Sequence, residues 1–167
     1  VQLYAVEDGL IQGEESLKSQ HKISIVSKNN AGEKLLKKIY THSATKGFYY
    51  TPRASLNFLR DHWSDDLSLW IPFYDSYIYE NAINARNIIP DFGKIPVNYV
   101  YEDNYLPIDT LVQDSLMNTN RNLIKAKTIF YKNRKDFKAY LAFRCIQNRS
   151  TVSKPQLDGM SSNEFCF

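Results

Sequence analysis

Two runs in the last third of the chain constrain its fold more than any other feature. In Leu123 to Tyr131, Ile124, Ala126, Thr128 and Phe130 alternate with Lys125, Lys127 and Ile129. In Phe137 to Ile146, Phe137, Ala139, Leu141, Phe143 and Cys145 alternate with Lys138, Tyr140 and Arg144. A repeat of two puts successive side chains on opposite faces of a strand. Between the runs, Lys132-Asn133-Arg134-Lys135-Asp136 carries no apolar residue and suits a solvated turn. The spacing predicts a C-terminal β-hairpin, one face in the core and the other in water.

Upstream, Lys22 to Ser27 and Val97 to Tyr101 also alternate, and Leu67 to Glu80 reads as two short strands or one bent edge strand interrupted by Pro72. Val1 to Gln20 reads as an extended or partly helical lead-in. Leu35, Leu36 and Ile39 stand at helical spacing after the turn Asn29-Asn30-Ala31-Gly32. Thr51-Pro52 opens a second helix through Leu56, Leu59 and Trp63, and Pro107 with Asp109 opens a third through Leu111, Val112 and Leu116. The order predicts a single α+β domain over 1–148, an antiparallel sheet of about five strands with helices on one side, and a C-terminal tail over 149–167. This order of elements resembles that of PAS and Cache-type sensing domains, an analogy of arrangement alone, which would imply a ligand pocket between sheet and helices.

A chain of 167 residues with 43% hydrophobic and 23% charged residues has the composition of one globular domain. The balance of 21 basic against 18 acidic residues is too mild to demand a polyanionic partner. No run approaches the ~18 apolar residues of a membrane span. Cys145 and Cys166 form an even pair that is either a disulfide tying the tail to the hairpin or two separate thiols. With the acceptor pattern Asn148-Arg149-Ser150 and no Met at position 1, that pair suits an exported protein, or a segment of an exported or assembled one.

The candidate chemistry is sparse. His21, His42 and His62 lie about twenty residues apart without ligand spacing, so no metal site is expected, and no cofactor motif is present. The chain has twelve Tyr and nine Phe, and the cluster around Trp70, Tyr74 and Tyr77 cannot all face one core. Rings with a polar handle suit recognition, so these three are expected to form a binding face for a small ligand or a protein partner. A non-catalytic binding module is the reading that follows.

Two alternatives remain. Lys46-Gly47-Phe48-Tyr49-Tyr50-Thr51-Pro52 resembles the aromatic strand-to-helix step of ADP-ribosyltransferase toxins. The resemblance implies an NAD-consuming site in which His21 contacts the ribose, Tyr49 stacks on the nicotinamide and Glu102 stabilises the cationic transition state. Where that family places small residues after its His, this chain has Lys22 and Ile23. An RNA-binding or RNA-cleaving module would instead use the hairpin cations Lys125, Lys127, Arg134 and Lys138, and nucleic-acid binding would be salt-sensitive.

Overall fold

The computed structural model describes residues 1–7, 19–117, 122–147, 149, 151 and 162–167. Strands β1 (Gln2–Val6) and β2 (His21–Ser27) are followed by helix α1 (Asn30–Ala44), strand β3 (Arg53–Ser55) and helix α2 (Leu56–Asp61). Strand β4 (Leu67–Ile71), helix α3 (Tyr77–Asn84), strand β5 (Val97–Tyr101), helix α4 (Pro107–Met117) and strand β6 (Asn122–Lys125) then alternate. A 3-10 turn (Arg134–Asp136) leads into helix α5 (Phe137–Gln147).

The six strands form one mixed sheet in the order β3-β1-β2-β4-β5-β6. Only β2 runs against its neighbours; β1 and β3, β4 and β5, and β5 and β6 pair in parallel. The α+β class holds, and the described residues give six strands where about five are expected, but the sheet is mixed, antiparallel only where β2 meets β1 and β4. The cause lies in α3 and α4: a helix between two strands returns the chain to the same end of the sheet, which a parallel ladder requires. That pairing also departs from the PAS and Cache-type arrangement.

Alternation along the strands separates two faces. Leu3, Ala5, Ile23, Ile25, Leu69, Ile71 and Tyr99 are buried and pack beneath Ile39 of α1, Leu56 and Leu59 of α2, Ile78 of α3 and Val112 and Leu116 of α4. On the other face Ser24, Ser68, Trp70, Asn98 and Val100 are half-buried. Helix starts follow the capping chemistry of the sequence. The side chains of Asn29, Ser55 and Ser76 accept from Gly32 N, Phe58 N and Tyr79 N, satisfying donors that a first helical turn leaves open.

At Gly47, between α1 and β3, a Cβ would lie 1.9 Å from the carbonyl oxygen of Arg53. Gly47→Ala is therefore expected to push β3 away from α1 and cost about 1–3 kcal/mol, read as a lower urea midpoint.

The predicted C-terminal hairpin does not form. β6 ends at Lys125, and the second run is helix α5. Asn133 starts that helical segment: its backbone N–H and its side-chain amide both donate to Asp136 Oδ2, at 3.1 and 3.2 Å. Leu67 to Glu80 likewise holds one strand, then α3 in place of a second. The lead-in contains β1. Cys145 and Cys166 are free thiols, so no disulfide joins them. The tail end returns to the fold through Phe165, which is 3% exposed, accepts from Phe130 N and sets its ring against Tyr74 and Phe130. Asn148 and Ser150 of the acceptor pattern lie outside the described residues.

Candidate functional site

Parallel strands bring their carboxyl ends to one edge of a sheet, and the loops leaving β4, β5 and β6 meet there. Tyr74 follows β4, Glu102 and Asn104 follow β5, Asp109 stands in the first turn of α4, and Thr128 lies beyond β6. Tyr74 OH donates to Asp109 Oδ1 at 2.8 Å, and Asn104 Nδ2 donates to Tyr74 OH and to Glu102 Oε2, both at 3.0 Å. Glu102 also accepts from Thr128 N at 2.8 Å and Thr128 Oγ1 at 2.7 Å. Asp109 Oδ2 takes the backbone N–H groups of Asn104 and Leu106.

Each carboxylate thus accepts three donors, the condition under which burial is tolerated. Burial, with Asp109 and Glu102 alongside, pushes the Tyr74 phenol well above its usual range. The network holds three loops together and presents no open carboxylate. Asn104 Oδ1 has no partner among the described residues, and Asp75 and Tyr105 flank the network in left-handed backbone at φ 59° and 57°.

A second constellation joins β2 to the helix layer. His21, the first residue of β2, is 2% exposed, and both its ring nitrogens lack hydrogen-bond partners among the described residues. Its ring meets the edge of Tyr77 at 6.0 Å, and Tyr77 OH lies 2.9 Å from Tyr99 OH. Burial, reinforced by the charge of Arg86, lowers its pKa to about 4. Tyr77 also walls a cleft of about 330 Å³ between α3, α4 and the loop following α3, lined further by Ile78, Asn81, Arg86, Asn87, Ile89 and Ser115. Asn81 shapes its rim by donating to Ile88 O at 2.7 Å and accepting from Ile88 N at 3.0 Å.

A larger groove of about 690 Å³ opens near the amino ends of β4 and β5, lined by Arg60, Trp63, Ser64, Asp65 and 93–96. Its guanidinium is already engaged, since Arg60 donates to Asp91 O and Asn57 Oδ1 and pairs with Asp91.

The predicted binding residues are divided among these places. Tyr77 lines the smaller cleft, Tyr74 belongs to the carboxylate network, and Trp70 is half-buried on the sheet face away from the helices. His21, Tyr49 and Glu102 are not brought together: Tyr49 precedes β3, where it stacks near Arg53 at 4.9 Å, while Glu102 follows β5. Strands β3 and β5 stand four places apart in the sheet, about 19 Å. Lys125 ends β6 and Lys127 lies beyond it, Arg134 pairs with Glu164, and Lys138 is on α5, so no alternating strand gathers them.

Asn104, Asp109, Thr128 and Arg86 were not singled out from the sequence. Only Asp109 carried a signal, an acid just after Pro107 at a helix start. Among the described residues no group of three or more His, Cys, Asp or Glu side chains is gathered as a metal site, and no helix is long and apolar enough to cross a membrane. Compared with known protein families and with curated proteins, the chain matches none of them.

Proposed function

We propose that the chain is a non-catalytic binding module whose site is the cleft between α3 and α4, and that its ligand is a small molecule with an apolar body and an anionic group. The observation that carries this reading is convergence. In one 330 Å³ space, Tyr77, Ile78 and Ile89 supply apolar wall while Asn81, Asn87 and Ser115 supply neutral polar groups and Arg86 a cation, held on its other side by a long 3.8 Å ion pair with Glu80. The volume falls within the range of small-ligand sites, about 300–1,000 Å³, and polar groups of this kind fix orientation against apolar walls. His21 behind Tyr77 adds a buried group with a displaced pKa beside the cleft, a frequent companion of functional sites. The carboxylate network supports the reading indirectly, because Glu102 and Asp109 spend their lone pairs holding loops.

The test is calorimetric titration with small aromatic carboxylates and phosphate monoesters, paired with thermal denaturation. A true ligand at a hundred times its Kd is expected to stabilise the chain by about 2.7 kcal/mol. Arg86→Gln is expected to weaken binding roughly tenfold, because the amide keeps donors and loses the charge. If no compound raises the melting temperature, or if Arg86→Gln binds as tightly as the parent, the cleft is not the site.

A further inference from the structure

Helix α5 carries apolar residues on two opposite faces, with Lys138 and Gln147 on the flanks between them and Arg144 on the inner side. Its inner residues meet the segment after β6: the Phe130 and Tyr140 rings stack at 5.4 Å, and Tyr131 meets Phe137 at 6.2 Å and Tyr140 at 5.1 Å. On the opposite side Ala139, Ala142, Phe143 and Ile146 face water, with Phe143 63% and Ile146 78% exposed. None of the helix's residues is fully buried. Apolar faces of this kind belong in a core or a bilayer, and a contiguous exposed patch marks an interaction surface.

Charge identifies what covers it. From residue 125 to 149 the chain carries eight basic residues against the single carboxylate of Asp136, although the whole chain nets only +3. The rest of the molecule is therefore net acidic, and the positive charge is concentrated in the stretch of chain that contains the helix. Lys125, Lys127, Lys132, Lys135 and Lys138 are all exposed. We infer that α5 lies on an anionic bilayer surface, with Phe143 and Ile146 entering the acyl boundary and the surrounding lysines on the headgroup phosphates and carboxylates.

A protein partner fits less well, because four outward side chains fall far short of the ~20–30 residues a side of a stable interface. A nucleic acid fits less well too. Single strands need free ring faces; the outward face of α5 offers one ring among aliphatic side chains, and the Phe130 ring is already stacked on Tyr140.

Vesicle flotation of the full chain tests the inference, comparing phosphatidylcholine with mixtures holding about 30 mol% phosphatidylserine. Binding is expected only to the anionic vesicles and should weaken with added salt. The double variant Phe143→Ser/Ile146→Ser and the triple variant Lys132→Glu/Lys135→Glu/Lys138→Glu are each expected to lower partitioning roughly tenfold or more. All five positions are exposed, so both variants should keep the parent's melting temperature, which is measured alongside. The inference is overturned by absence of binding to the anionic vesicles, by unchanged binding of the double variant, or by a short single-stranded RNA binding more tightly than vesicles.

Discussion

Replacing Glu102 by alanine is expected to destabilise the chain by about 3–5 kcal/mol, a large part of the ~5–15 kcal/mol that holds a domain together. The carboxylate is 4% exposed and receives Thr128 N, Thr128 Oγ1 and Asn104 Nδ2. Without it Thr128 N and Thr128 Oγ1 lose their acceptor and Asn104 Nδ2 keeps only Tyr74 OH, each lost bond costing about 1–3 kcal/mol, and water entering the space recovers part of that loss. Thr128→Val should cost less, about 1–2 kcal/mol, because the backbone N–H still reaches Glu102. The two substitutions should fall short of additive, since they remove the same bond. Urea denaturation of the three variants measures this. A Glu102→Ala change below about 1 kcal/mol would mean that the network is not the brace described above.

The second large effect is an acid limb set by His21. Its pKa falls from 6.5 to about 4 in the fold, first because burial penalises the imidazolium and then because Arg86 repels it. Between those values the unfolded chain binds a proton that the folded chain refuses, so acid favours unfolding. This contribution is fully present above pH 6.5, declines as the pH falls toward 4, and reaches a loss of about 3 kcal/mol below that. His21→Phe should keep the edge contact with Tyr77 and remove the two unpartnered nitrogens. It is expected to be at least as stable as the parent at pH 7 and flatter between pH 6.5 and 4. Parallel pH profiles for parent and variant would assign the acid limb to other groups.

Where pattern and environment agreed, the elements were legible. Val97 to Tyr101 alternates and is a strand; Pro107 and Asp109 open a helix that runs to Met117; and Leu35, Leu36 and Ile39 mark α1, although the helix itself extends from Asn30 to Ala44. Phe137 to Ile146 misled because α5 is apolar on both its inner and outer sides, and a segment rich in apolar residues all round satisfies a period of two as readily as one of 3.6. The parallel pairing is hidden with it, because the first half of α3, Tyr77 to Glu80, continues an aromatic and β-branched run that reads as strand, and only Asn81 onward reads as a loop or loose helix. Among site residues, Tyr77 was named, and it does line a cleft, but its neighbour Arg86 sits in a loop without a motif. The Tyr74, Asn104 and Asp109 network was beyond reach, since Tyr74 and Asp109 meet across 35 positions of chain. Glu102 drew notice as an acid after a strand; its three bound donors account for that position.

The lone reversed strand divides the folding problem in two. From β4 to β6 every ladder joins strands consecutive along the chain, a low-contact-order unit that can assemble from its own residues. The other half needs β3 to reach back to β1 across nearly fifty residues, registering Ala54 beside Ala5. The halves share one ladder, β2 with β4, from Ser24–Trp70 to Ser27–Leu67. Native-state hydrogen exchange should therefore resolve two cooperative units, with the three-residue β3 opening before the central strands.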